Sequence, residues 1–136
     1  MAKVFTGRVT VSFKEYIKAL EEAERIRGPF REYLRGLNNE FFAFLVRKYS
    51  ERTARKHCGI VYPFIDFITD YTDVMTIEEI TRGMVNTHFL KWWRRKVIDN
   101  STPDERRVSL TKFFSFLAEE KGIVCEKALK GLGVVT

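Results

Sequence analysis

The side chains of this 136-residue chain best placed to do chemistry are cations, crowded where helices should begin. In SERTARKH, residues 50–57, Ser50 is a good N-cap, yet Arg52, Arg55 and Lys56 fill the turns behind it. A helix N-terminus carries partial positive charge and favours Asp or Glu, so each cation there costs about 0.3–1 kcal/mol. The placement is useful where the helix end must meet an anion. A second basic start follows in STPDERR, residues 101–107. Thr102 and Glu105 have capping-box spacing, Pro103 suits the first helical position, and Arg106 and Arg107 come next. Because these arginines lie close to the stripe of Leu110, one turn earlier, the pattern predicts a helix start that projects past the core toward something anionic.

Other chemistries lack their residues. There is no Gly-rich phosphate loop, no paired-Cys zinc site and no HExxH helix, so neither a metal nor a cofactor is expected. The five tyrosines lack an activating cluster, and phosphoryl transfer needs several groups around one phosphate. No catalytic residue is therefore assigned. His57 falls on an apolar helix stripe and reads as a hydrogen-bonded core histidine. Trp92 and Trp93 have the ring faces for base stacking, but helical spacing predicts one in the core and the other exposed or partly covered by the N-terminal segment.

The elements that must position these residues are helical. The first dozen residues are β-branched and fit a short strand or an irregular arm. From Ser12, the stripe of Phe13, Tyr16, Ile17 and Leu20 predicts an amphipathic helix that stops at Gly28–Pro29. A second apolar pattern is weakened near Gly36 and Asn38–Asn39, then forms a strong helix over 39–49 with Phe41, Phe42, Phe44 and Leu45 as core. The helix capped by Ser50 carries His57, Val61, Phe64, Ile65 and Ile68 inward, with Arg52, Arg55 and Lys56 opposite and a kink expected at Pro63. A turn and a brief helical element lead to one helix with Met84, Val85, Phe89 and a tryptophan inward. It ends in the basic KWWRRK that a C-terminal macrodipole prefers. After the loop VIDNS, the helix behind Thr102 buries Leu110, Phe113, Phe114 and Leu117 and ends at Gly122; Val108 and Phe116 fall off its core stripe.

Composition supports a folded protein of about one domain, with 45% hydrophobic and 14% aromatic residues. Net charge is +6, and it is local. Residues 60–81 hold five acids and no Lys or Arg, whereas residues 82–112 hold eight basic and three acidic residues. Such clustering points to a polyanionic partner. Cys58 and Cys125 form no CxxC pair and read as free thiols of a reducing cytoplasm, and no apolar run approaches the about 20 residues of a membrane span.

Three stretches, FFAFLVRKYSERTARKHCGIVYPFIDFI, IEEITRGMVNTHFL and STPDERRVSLTKFFSFLAEEKGIV, follow in an order and spacing that resembles the N-terminal core-binding, or SAM-like, domain of phage integrases and other tyrosine recombinases. The resemblance covers Asn39 to Val124. It implies an all-α fold, a small orthogonal helical bundle, here with an N-terminal helical extension. The expected organisation is an arm and amphipathic helix over 1–38, the core-binding domain over 39–124, and a tail or linker start over 125–136.

In that family the bundle clamps duplex DNA through its second and fourth helices. Carried onto this sequence, the resemblance implicates Arg52, Thr53, Arg55 and Lys56 at one helix start, and Ser101, Thr102, Arg106 and Lys112 at the other. Arg107 is added from its charge and position. The family's catalytic half, with its His-x-x-Arg motif and tyrosine nucleophile, has no counterpart, since His57 is followed by CGI and His88 by FLK. The reading is a non-catalytic duplex-DNA-binding domain in DNA integration and recombination, cytoplasmic and nucleoid-associated, with other recombinase subunits as further partners. The alternative is a helical protein-interaction or oligomerisation module using the N-terminal helix and Phe116.

Overall fold

The computed structural model describes residues 12–96 and 101–133. The strand or arm expected over the first residues and most of the VIDNS loop lie outside them. Six α-helices and a 3-10 turn make up the described residues, with no strand among them. They are α1 (Phe13–Lys48), α2 (Glu51–Tyr71), the turn Ile77–Glu79, α3 (Arg82–Val85), α4 (Thr87–Lys96), α5 (Pro103–Lys121) and α6 (Glu126–Gly131).

Helix α1 is continuous over 36 residues, so neither the stop expected at Gly28–Pro29 nor the weakening near Gly36 occurs. Pro29 removes one amide from the ladder, but the turns around it are held from outside. Phe30, Leu34, Leu37, Phe41 and Leu45 form a buried stripe at helical spacing. Guanidinium groups fix the same turns to α2: Arg27 donates to the Ile68 and Thr69 carbonyls, Arg31 pairs with Asp70, and Arg35 pairs with Asp66 at 3.2 Å. Asn38 Nδ2 donates to the Cys58 carbonyl at 3.2 Å. As the α1 number rises the α2 number falls, so the two helices are antiparallel. Tertiary packing thus outweighs the local breaker, and α1 runs through the boundary expected at residue 38.

Helix α2 passes through Pro63 without interruption. Beyond it, the Thr72 hydroxyl donates to the Ile68 carbonyl and accepts from the Val74 amide, which turns the chain. The single helix expected after that turn is two, split at Asn86, whose Nδ2 donates to the Gly131 carbonyl of α6 at 3.1 Å. Helix α5 starts as its sequence dictates, with the Glu105 amide donating to Thr102 Oγ1 at 3.1 Å and Pro103 at the first helical position. It ends at Gly122, in the left-handed region at φ 67°, where a side chain would be strained.

The core is a relay of aromatic rings. Phe41 of α1 meets Phe113 of α5 at 5.4 Å, Phe114 meets Phe64 of α2 at 6.0 Å, and Phe64 meets Phe89 of α4 at 5.0 Å. Edge-on pairs of this kind contribute about 0.5–1.5 kcal/mol each beyond area burial. Two expectations about this core are corrected. Trp92 and Trp93 are both buried, because α4 is gripped between α2 and the start of α5. Phe116 is buried too, packed on Phe41 and Phe44, because α1 covers the flank of α5 that the stripe left open. In residues 125–133, Cys125, Ala128, Leu129 and Leu132 are core, and α6 packs on α3.

Candidate nucleic-acid interface

Helices α2 and α5 begin near one another because one buried polar contact joins their early turns. His57 Nδ1 lies 2.7 Å from Ser109 Oγ, and both residues are buried. The imidazole is held below its usual pKa by burial first, and then by the positive charges of Lys112 and Lys56. Lysines from two helices therefore flank one neutral histidine.

Around that joint, Arg52, Arg55 and Lys56 lie exposed on the side of α2 away from its core. Arg55 pairs with Glu51 one turn back. Thr53 is half-buried, its amide donating to Ser50 Oγ at 3.1 Å and its hydroxyl 3.0 Å from the same oxygen. The Ser50 cap anticipated from sequence is therefore present. Lys112, on the flank of α5, is half-exposed; its ammonium donates to the Tyr49 hydroxyl at 3.3 Å and lies 5.0 Å from that ring's centroid. Tyr49, at the C-cap of α1, so ties the entry of α2 to the middle of α5.

At the second start the structure separates the two arginines. Arg107 is exposed and pairs with Asp104 at 3.5 Å. Arg106 is buried, which corrects the expectation that it projects past the core. Its Nη1 donates to the Ser101 carbonyl at 2.8 Å and to Ser101 Oγ at 3.1 Å, and its guanidinium stacks 4.9 Å from the centre of the Trp93 ring. The apolar-to-basic change along the α5 stripe marks a stacked arginine under α4 rather than a cation facing outward. Ser101 serves that arginine, and Thr102 serves as cap.

Two further cations adjoin this start. Lys91 and Arg94 of α4 share with Arg107 a cavity of about 300 Å³ between α4 and α5. Their sequence signal is the KWWRRK run, part of the basic stretch 82–112. Among the described residues no group of His, Cys, Asp and Glu could hold a metal ion. Both cysteines are free thiols raised above their usual pKa by burial, Cys58 to about 11, so neither is a ready nucleophile. Exposed or half-exposed cations of α2, α4 and α5 thus border the two helix starts.

A family model described as the phage integrase N-terminal SAM-like domain matches residues 38–121. Neither a curated protein nor a solved structure matches the chain.

Proposed function

Since the chain belongs to the family of phage integrase N-terminal SAM-like domains, we propose that it is the non-catalytic duplex-DNA-binding domain of a tyrosine recombinase, acting in DNA integration and recombination. The observation that carries this reading is the buried 2.7 Å contact of His57 with Ser109, which sets the exposed basic start of α2 beside Lys112 of α5. Cations so gathered from two rigid helices can follow adjacent phosphates of one duplex face. Arg52, Arg55, Lys56, Arg107 and Lys112 make the phosphate contacts, joined by Lys91 and Arg94. Thr53, Ser101 and Thr102 shape the two helix starts, and Arg106 holds the second from beneath. Phosphate contacts set register; base edges are read where a helix start enters the major groove. The protein works in the cytoplasm on nucleoid DNA, beside other recombinase subunits.

The test is a titration with duplex DNA at several salt concentrations. With about five to seven phosphates neutralised, log K against log salt has a slope of about −4 to −6. Absence of binding at low salt, or a flat slope, would overturn the reading.

A further inference from the structure

The N-terminal part of α1 stands away from everything else. Every residue from Ser12 to Ile26 is exposed, which leaves about 21 Å of helix without a partner at 1.5 Å per residue. It is nevertheless amphipathic: Phe13 (79% exposed), Tyr16, Ile17 and Leu20 share one stripe. This arm precedes the family match, which begins at residue 38. The stripe runs into a groove of about 920 Å³ between α1 and the end of α2, lined by apolar Leu20, Ala23, Ile26 and Met75 and by mixed charges such as the Arg31–Asp70 pair. The arm cannot fold back into the groove, because α1 is continuous and carries Phe13 away along its axis.

We propose that this surface is a docking site for a second copy of the chain, with two arms packed antiparallel and each arm's tip seated in the other's groove. Charge selects this occupant and this direction. The outer half of the arm carries Lys14 and Lys18 against one acid, Glu15; the inner half carries Glu21, Glu22 and Glu24 against Arg25. The groove itself is of mixed charge, with Arg27, Arg31 and Arg35 beside Asp66, Asp70 and Asp73, so the direction is set by the arm's own charges. Antiparallel pairing sets the basic half of each arm on the acidic half of the other, with Phe13 beside Ile26, Tyr16 beside Ala23 and Lys18 beside Glu21 of the second copy. Parallel pairing opposes like charges along the whole arm, and such charges set orientation in helix pairs. The contact is isologous and closes on itself as a two-fold dimer. Since α1 is already anchored by its inner half, the arm needs no separate nucleation to pair.

The inference goes beyond the DNA-binding reading and is tested without DNA. Sedimentation velocity of the full chain should show a concentration-dependent dimer, dissociating in about the micromolar range because the contact is shorter than a standard interface. Phe13→Ser with Ile17→Ser should raise the dissociation constant about tenfold or more. Lys14→Glu with Lys18→Glu should do the same while keeping the apolar stripe. Both pairs are fully outside the core, and unchanged thermal melts establish that the variants fold. Direction is read by oxidising an equal mixture of Tyr16→Cys and Ala23→Cys chains against the parent chain as background. A disulfide dimer formed only between the two variants is expected. A monomer at all concentrations, or each variant cross-linking with itself as readily as with the other, overturns the proposal.

Discussion

His57 is neutral in the folded protein because a charged imidazole there would be buried and would face Lys112 and Lys56. Its pKa is therefore depressed below the ordinary 6.5, and near pH 6 the unfolded chain binds more protons than the folded one. Stability from this residue is complete above about pH 6.5 and is lost as pH falls toward the folded value. Urea unfolding at about pH 7.5 and pH 5.5 should show a lower midpoint at the acid pH, and His57→Gln should narrow that difference. A variant with the same acid loss as the parent would assign the effect to carboxylates instead. Arg106 and Arg107 provide a second contrast at this scale, since adjacent arginines have opposite duties. Arg106→Ala removes two hydrogen bonds and the Trp93 stack and should cost about 1–3 kcal/mol. Arg106→Lys should not restore it, because an ammonium lacks the planar fork. Arg107→Ala should stay within about 0.5 kcal/mol by the same denaturation measurement.

Between elements, α6 comes close to α3 at Gly131. A Cβ on Gly131 would stand 2.8 Å from the Arg82 Cα and 2.9 Å from its carbonyl oxygen, and backbone cannot step aside as a flexible side chain does. Gly131→Ala should therefore push the two helices apart and lower stability by about 1–3 kcal/mol in thermal or denaturant unfolding. The Asn86–Gly131 hydrogen bond lies at the same joint, so the damage should spread to the break between α3 and α4. A fully stable Gly131→Ala chain would mean that α6 is a dispensable appendage. Helix α1 depends on its surroundings in another way: from Arg27 onward it is fixed by a buried apolar stripe and by arginines bonded to α2, while residues 13–26 are exposed and have neither support.

For the molecule as a whole, the proposed DNA binding and folding would draw on different side chains, and substitutions should separate them. Arg55 and Lys56 are exposed, so Arg55→Ala with Lys56→Ala should change unfolding free energy by no more than about 0.5 kcal/mol each. The same pair should weaken duplex binding and reduce the salt slope by up to about 2, since each lost phosphate contact removes about 0.9. Lys112→Ala should reduce it by about 1, with a small stability loss from the Tyr49 contact. Salt titrations that leave the slope unchanged in all these variants would place the DNA elsewhere on the surface. Among the described residues no helix is long and apolar enough to cross a membrane.

Sequence alone determined the features whose causes are local. The caps at Ser50 and Thr102, the Pro103 start and the Gly122 stop each depend on a few neighbouring residues, so their chemistry is legible in one turn. The buried stripes of α2 and α5, including His57, were legible because apolar side chains at helical spacing must share a face. The order of three motifs also pointed to the family that the matched segment bears out. Tertiary structure alone decided what depends on a neighbour distant in sequence. Helix α1 survives Pro29 because α2 holds the turns on both sides, which no local propensity encodes. Burial of Phe116 and of both tryptophans follows from which helix covers which flank, and Arg106 turned from an outward cation into an anchor because Trp93 lies above it. The candidate site divides in the same way: its exposed cations on α2 were visible as residues opposite a stripe, while their meeting with Lys112 required the chain to bring α5 back beside α2.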